Sequence, residues 1–220
     1  MNPHAMEPLL PWLAGLPWLG AVLMAGLPAT ARKPAAWLAA IVSALALGSV
    51  ALLAPSVFGG QVPQWSVPWI PSLGLDLHFR ADGLAWLFAL LITGIGLLVV
   101  IYAAWYLDPE EPSPRFFTFL LMFMGAMLGI VLSGNLLLLV LFWELTSLSS
   151  FLLIGWWHRR DEAREGARMA LAITGAGGLC LLAGVLLLGH IVGSFSLDAV
   201  LAAGDVNRAH PLYETALVLV

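Results

Sequence analysis

Apolar residues fall along this chain in long unbroken runs, not at the spacing of a soluble helix or strand. A helix that crosses hydrocarbon needs about 20 mostly apolar residues. Six runs reach that length: Pro8–Leu27, Pro34–Leu53, Leu84–Leu107, Pro114–Leu132, Leu136–Trp157 and Met169–Val192. A seventh starts at Pro211 and continues to Val220, about half a span. Ser133-Gly134-Asn135 is the only break between the fourth and fifth runs, which predicts a transmembrane helical hairpin. No proline lies between Arg115 and His210, so helices four to six have no proline cause to break. The stretch from Pro55 to Gly83 is different. Leu75, Leu77 and Phe79 alternate with Asp76, His78 and Arg80, the period of a strand. Pro71-Ser72-Leu73-Gly74 is a turn signal and Val67–Ile70 the expected partner strand. Asp82 is placed to cap the third helix. The predicted fold is all-α: a polytopic transmembrane bundle of six complete helices plus the start of a seventh, with a small external β-hairpin between helices 2 and 3. Residues 1–113 would carry helices 1–3 with the hairpin loop 55–83, and residues 114–220 helices 4–6 and the start of helix 7.

Composition removes the soluble alternatives. Residues of the set AVILMFWYC make up 61% of the chain and charged residues 10%, against about 45–50% apolar, glycine included, and about 25% charged in a soluble domain. The net charge is −4, and Lys33 is the only lysine. With no basic patch, a nucleic-acid partner is excluded. Cys180 is the single cysteine, so no internal disulfide can form. No haem or iron–sulfur motif is present, and no cofactor or metal site is expected; Met122, Met124 and Met127 read as packing. Of the nine basic residues, Arg32, Lys33, Arg115, Arg159, Arg160, Arg164 and Arg168 follow the first, third and fifth runs, and only Arg80 and Arg208 lie on the other side. The positive-inside rule then places the N-terminus outside, with Trp156 and Trp157 at the inner interface.

Sorting the thirteen acidic residues by depth singles out Glu144, which alone falls well inside a span. It lies eight residues into its run, roughly 12 Å along the helix, near the bilayer midplane. A charge there costs at least about 3 kcal/mol. A carboxyl group in hydrocarbon takes or gives up a proton according to whether a cation is near, which is what a proton or cation relay needs. The competing reading is a permanently neutral hydrogen-bonding link between helices. Ser147, one turn on, is a candidate partner of Glu144, whereas Thr146 and Ser149 are expected to bond their own helix carbonyls. His190, near the outer end of the sixth helix, is a candidate outer proton-path residue, with simple solvation as the alternative. Gly125 and Gly129, and the small residues around Gly175-Ala176-Gly177-Gly178, read as helix packing. No lysine, arginine or second acid in the six spans shares the depth of Glu144. Its partner is therefore expected from further sequence, another subunit or water.

These residues resemble a known family. Phe123-Met124-Gly125-Ala126-Met127-Leu128-Gly129 and Phe142-Trp143-Glu144-Leu145-Thr146-Ser147-Leu148-Ser149-Ser150-Phe151-Leu152-Leu153-Ile154-Gly155 resemble the fourth and fifth helices of the large, A-type subunit of the Mrp-type, multisubunit Na+/H+ antiporters. The likeness extends back to Phe79-Arg80-Ala81-Asp82-Gly83-Leu84 and forward through Ile173-Thr174-Gly175-Ala176-Gly177-Gly178. That family is related to the antiporter-like, proton-pumping subunits of respiratory complex I. The resemblance implies a protein of about fourteen helices with two inverted five-helix repeats. It implies that Glu144 matches a glutamate coupled to a lysine on a broken seventh helix. It further implies a bacterial cytoplasmic-membrane location, partner membrane subunits, and protons and a monovalent cation, Na+, as cargo. The activity would be secondary transport, not that of an enzyme. A truncated chain holding an incomplete first repeat is expected. Gly134 departs from the family, many members of which carry Asp there. The alternative is a proton-translocating membrane subunit of an NADH:quinone oxidoreductase. The run Leu145–Phe151 favours the antiporter pattern, because complex I relatives usually carry glycines and a cysteine there. A non-transporting scaffold is the third reading.

Overall fold

The computed structural model describes residues 7–108, 110–157 and 159–220. Helix α1 covers Leu9–Ala25, α2 Arg32–Phe58, α3 Gly83–Tyr106, α4 Ser113–Leu132, α5 Leu136–Ile154 and α6 Asp161–Val192. Strands β1 (Gln64–Ile70) and β2 (Leu75–Arg80) lie between α2 and α3, and three short helices follow α6: α7 (Leu197–Ala202), α8 (Gly204–Ala209) and α9 (Tyr213–Leu219). Among the described residues, five helices, α2 to α6, are long and apolar enough to cross a membrane, and α1 is a shorter apolar helix of 17 residues.

Boundaries shift where tertiary contacts outweigh local signals. Helix α2 runs through Pro55 to Phe58, where residue order suggests the start of a loop. Phe58 packs edge-on against Trp86 of α3 at 5.0 Å, and the Trp86 indole N–H donates to the Val50 carbonyl at 2.8 Å. Helix α6 begins at Asp161, ahead of the apolar run at Met169. Asp161 and Glu162 occupy its first turn, where acids favour the positive end of the helix dipole, and Arg164 pairs with Asp161 at 2.5 Å. At 32 residues it is about 48 Å long, well beyond a hydrocarbon core of about 30 Å. The expected seventh run forms only α9, whose Ala216 is fully buried. Gly184 of α6 leaves room for it: a Cβ there would meet the Ala216 carbonyl at 3.1 Å. Nothing in the residue order announces α7 and α8.

Lipid supplies no hydrophobic drive between helices, so close fit must hold them together. Glycine notches do this. Gly125 of α4 faces the Trp18 indole of α1, with a built Cβ 2.6 Å from its nitrogen. Gly129, one turn on, takes the Phe142 ring of α5, and Gly96 of α3 takes the end of Met124. The packing expected of Gly125 and Gly129 is present, with each glycine receiving an aromatic ring.

The strands pair antiparallel from Gln64↔Arg80 to Ile70↔Leu75, so β1 starts at Gln64, ahead of the expected Val67. Gly74, at φ +67, closes the turn in the left-handed region that glycine enters freely. The hairpin does not stand alone. Phe79 of β2 bridges Ser133, and Asn135 bridges Ser196. The Gly134 N–H donates to the His78 carbonyl at 2.8 Å, the Leu136 N–H to the Phe195 carbonyl at 2.8 Å, and the Leu197 N–H to the Gly134 carbonyl at 2.9 Å. A four-segment ribbon results: β1, β2, the α4–α5 turn, and the stretch after α6. Arg80 pins its edge, 3.3 Å from Asp82 and 3.4 Å from Asp198.

Candidate functional site

Asn135 starts the helix that carries the site. Its side-chain oxygen accepts from the Leu137 N–H at 2.9 Å and the Leu138 N–H at 3.3 Å, and its amide donates to the Gly74 carbonyl at 2.9 Å. The first two bonds satisfy orphan donors of α5, and the third ties the helix to the hairpin. Asp82 does the equivalent for α3, accepting from the Ala85 N–H at 2.8 Å, as its position suggested.

From that start α5 runs without interruption to Ile154, which puts Glu144 at mid-helix. Glu144 is half-buried, on the side of α5 that faces α6. Its Oε1 fills the notch above Gly178, so closely that any Cβ at residue 178 would overlap the carboxylate. The same Cβ would lie 3.3 Å from Cδ1 of Trp143. Among the described residues, no side chain forms an ion pair with Glu144. Gly175 and Gly177 have open space where Gly178 has none. Of the three glycines in the Gly175–Gly178 cluster, only Gly178 makes a close approach, and what it receives is the carboxylate.

The hydroxyls around Glu144 are committed to their own helix. Thr146 donates to the Phe142 carbonyl at 2.7 Å, and Ser149 to the Leu145 carbonyl at 2.8 Å, as expected. Ser147 is buried, and it donates to the Trp143 carbonyl at 3.3 Å, so its hydrogen bond runs to the backbone. His190 is exposed in the last turn of α6. It lies about 18 Å along the helix from Gly178. Glu144 and Gly178 are thus brought together, and His190 stands apart from them. Residue order does not single out Gly178 as the neighbour of Glu144. A glycine cluster inside a proline-free helix is the only available signal.

At the end of the bundle away from the hairpin, the loop before α4 meets the end of α5. Trp157 donates to Glu111 at 2.7 Å, and a polar cavity of about 780 Å³ opens among Asp108, Glu110, Arg115, Arg159 and Arg160. Asp108, Glu110 and Glu111 of that loop thus lie beside arginines of their own chain. Among the described residues, no group of three or more His, Cys, Asp or Glu side chains is arranged to hold a metal.

Two family models match the chain. Residues 67–117 match the N-terminus of chain 5 of NADH-ubiquinone oxidoreductase (complex I), and residues 133–220 match the transmembrane region shared by NADH:quinone oxidoreductase and the Mrp antiporter. The chain is 51% identical over 214 residues to a probable K(+)/H(+) antiporter A/B subunit of Rhizobium meliloti, covering 97% of this chain and 21% of that protein. It is 46% identical over 162 residues to the Na(+)/H(+) antiporter A subunit of Alkalihalophilus pseudofirmus, covering 73% and 20%. It thus spans about a fifth of the length of these curated relatives. Among solved structures it superposes on a chain of the Mrp complex from Dietzia sp. DQ12-45-1b with a TM-score of 0.78 at 28% identity, covering 98% of this chain and 23% of that one. An archaeal membrane-bound sulfane sulfur reductase shares the fold, with a TM-score of 0.75 at 20% identity, covering 96% and 32%.

Proposed function

We propose that this chain takes part in exchanging protons for a monovalent cation across a bacterial cytoplasmic membrane, as its likeness to the N-terminal part of the A-type subunit of the Mrp-type Na+/H+ antiporters suggests. In this reading Glu144 is the relay acid and the cation is Na+. The protein works with other membrane subunits as a secondary transporter, not as an enzyme.

One observation carries the reading. Among the described residues, Glu144 is the only acid placed at mid-span, and no cationic side chain pairs with it. A permanently neutral link would be expected to bond across to a neighbouring helix. Here the carboxylate packs against a glycine, which offers no side chain to bond, so no hydrogen bond from that residue holds it in one protonation state. Ser147, one turn from Glu144, would respond to its charge state through the shared helix. His190 would serve at the outer mouth of the same path.

The topology of this proposal is six spans with the N-terminus and the hairpin outside. Leu10 of α1 packs in one cluster with Leu53, Leu75 and Phe79, which puts the start of α1 on the hairpin side. Arg32 donates to the Leu107 carbonyl, which puts the end of α3 on the other. There Arg115, Arg159 and Arg160 also gather, as the positive-inside rule asks of a cytoplasmic face. Residues 1–113 and 114–220 are the two parts of the chain in this reading.

A complex I-like membrane subunit is the second reading, favoured by the family model over residues 67–117. The experiment is Glu144→Gln in the assembled complex, with cation/proton exchange followed in membrane vesicles. The amide keeps the size and most of the hydrogen bonding and loses the titratable proton. Exchange should fall to background while assembly is kept, and Glu144→Asp should retain part of it. Wild-type exchange by Glu144→Gln would return the residue to a structural role. Exchange that depends on NADH would favour the second reading.

A further inference from the structure

At the end of the bundle away from the hairpin, α2 and α3 part into a groove of about 730 Å³ with Arg32 and Lys33 at its mouth. We propose that this groove binds an anionic phospholipid, its phosphate held by Arg32 and Lys33 and one acyl chain laid between Trp37 and Trp105. The inference requires only that the bundle sits in a bilayer, and it is independent of the role given to Glu144.

Small residues make the furrow. Ala36 and Ala40 of α2 line its floor, with Ile101 on the α3 side. Its size falls in the range of ligand sites, roughly 300–1,000 Å³. Trp37 and Trp105 stand 72% and 87% exposed on its flanks. Indoles hold that position at a membrane interface, where the ring is apolar and the N–H meets head groups.

The mouth is cationic and unbalanced. Among the described residues, no acid lines the groove and neither Arg32 nor Lys33 forms an ion pair. Arg32 donates to the Leu107 carbonyl, which fixes the guanidinium at the rim and leaves further N–H donors for an anion. Both cations sit in the first turn of α2, where the helix dipole also favours negative charge. A basic pocket between transmembrane helices is a recognised setting for anionic head groups. A neighbouring apolar helix would fill the furrow and leave both cations without a counter-charge. A phospholipid satisfies the two halves at once.

The test uses the purified membrane assembly that contains this chain. It is reconstituted with phosphatidylglycerol carrying a photoreactive acyl chain, and in parallel with phosphatidylcholine carrying the same chain. Cross-linked peptides are read by mass spectrometry. Phosphatidylglycerol should label residues 36–40 and 100–105 about thirtyfold more than phosphatidylcholine, given the usual attraction of two basic groups. Arg32→Gln with Lys33→Gln should abolish the preference, and Lys33→Arg should keep it. If the double variant does not assemble, Lys33→Gln alone should still reduce the preference about fivefold, because Lys33 is exposed and its loss leaves the Arg32 anchor in place. The proposal is overturned by equal labelling from the two lipids. It is overturned equally by a preference that survives the charge-neutral variants, by no lipid label in the groove, or by displacement of the label with millimolar inorganic phosphate, which would mark a free-anion site.

Discussion

Glu144 of α5 and Gly178 of α6 compete for one volume: the carboxylate occupies the place a side chain at residue 178 would take. The acid's position is therefore set by the absence of an atom on the facing helix. Gly178→Ala should displace Glu144 or separate the helices, costing about 1–3 kcal/mol as overpacking does, and should cut exchange sharply. Gly175→Ala is the control, because its Cβ meets nothing and its effect should stay within about 0.5 kcal/mol or be slightly stabilising. Melting temperatures in detergent and vesicle exchange rates read both.

Shortening the acid should restore part of the fit. In Gly178→Ala/Glu144→Asp the carboxylate retreats by one methylene from the new methyl. The double variant should be more stable than the sum of its parts, with a coupling of about 0.5–3 kcal/mol. Strict additivity would show that the two residues do not touch in the assembled protein.

Asn135 offers a test outside the membrane core. Asn135→Ala removes two bonds that cap α5 and one to Gly74, and should cost about 2 kcal/mol. Asn135→Asp keeps the acceptor and loses the donor, so it should fall between alanine and wild type in melting temperature.

Arg80 and Asp198 join the hairpin to the start of α7. Because the Asp198 side chain is 44% exposed, a double-mutant cycle with Arg80→Met and Asp198→Asn should give no more than about 1 kcal/mol of coupling, and less at high salt.

Topology can be read by cysteine labelling after Cys180→Ser. Asp76→Cys should react with an impermeant maleimide from outside intact cells, and Arg164→Cys only after permeabilisation. Outside labelling at residue 164 would reverse the orientation.

The depth of Glu144 along its helix, the hairpin turn and the cap at Asp82 are all readable from residue order, because each follows from a local rule: apolar run length, period two, and an acid before a helix. The continuation of α2 past Pro55 is not, since it depends on Phe58 reaching Trp86 on another helix. The short helix α7 is not readable either. Leu197 and Val200 cover Leu136 and Val140, and a pair of residues three apart is too brief to register as a period. Gly178 shows the same limit at the site. Among Gly175, Gly177 and Gly178, only a three-dimensional contact tells which one faces the acid.

The ribbon on the hairpin side also implies an order of synthesis. Its segments lie side by side in the order in which they leave the ribosome: β1, β2, residues 133–135, then residues 195–197. Between β2 and the third segment the chain makes α3 and α4, and between the third and the fourth it makes α5 and α6. Each inserted pair of helices thus delivers the next edge to a growing template. The contact from Gln64 to Asp198, 134 residues apart, is reached by successive short additions instead of one long closure. A nascent chain arrested after α4 would hold three of the four segments, with Asn135 in place before the helix it begins.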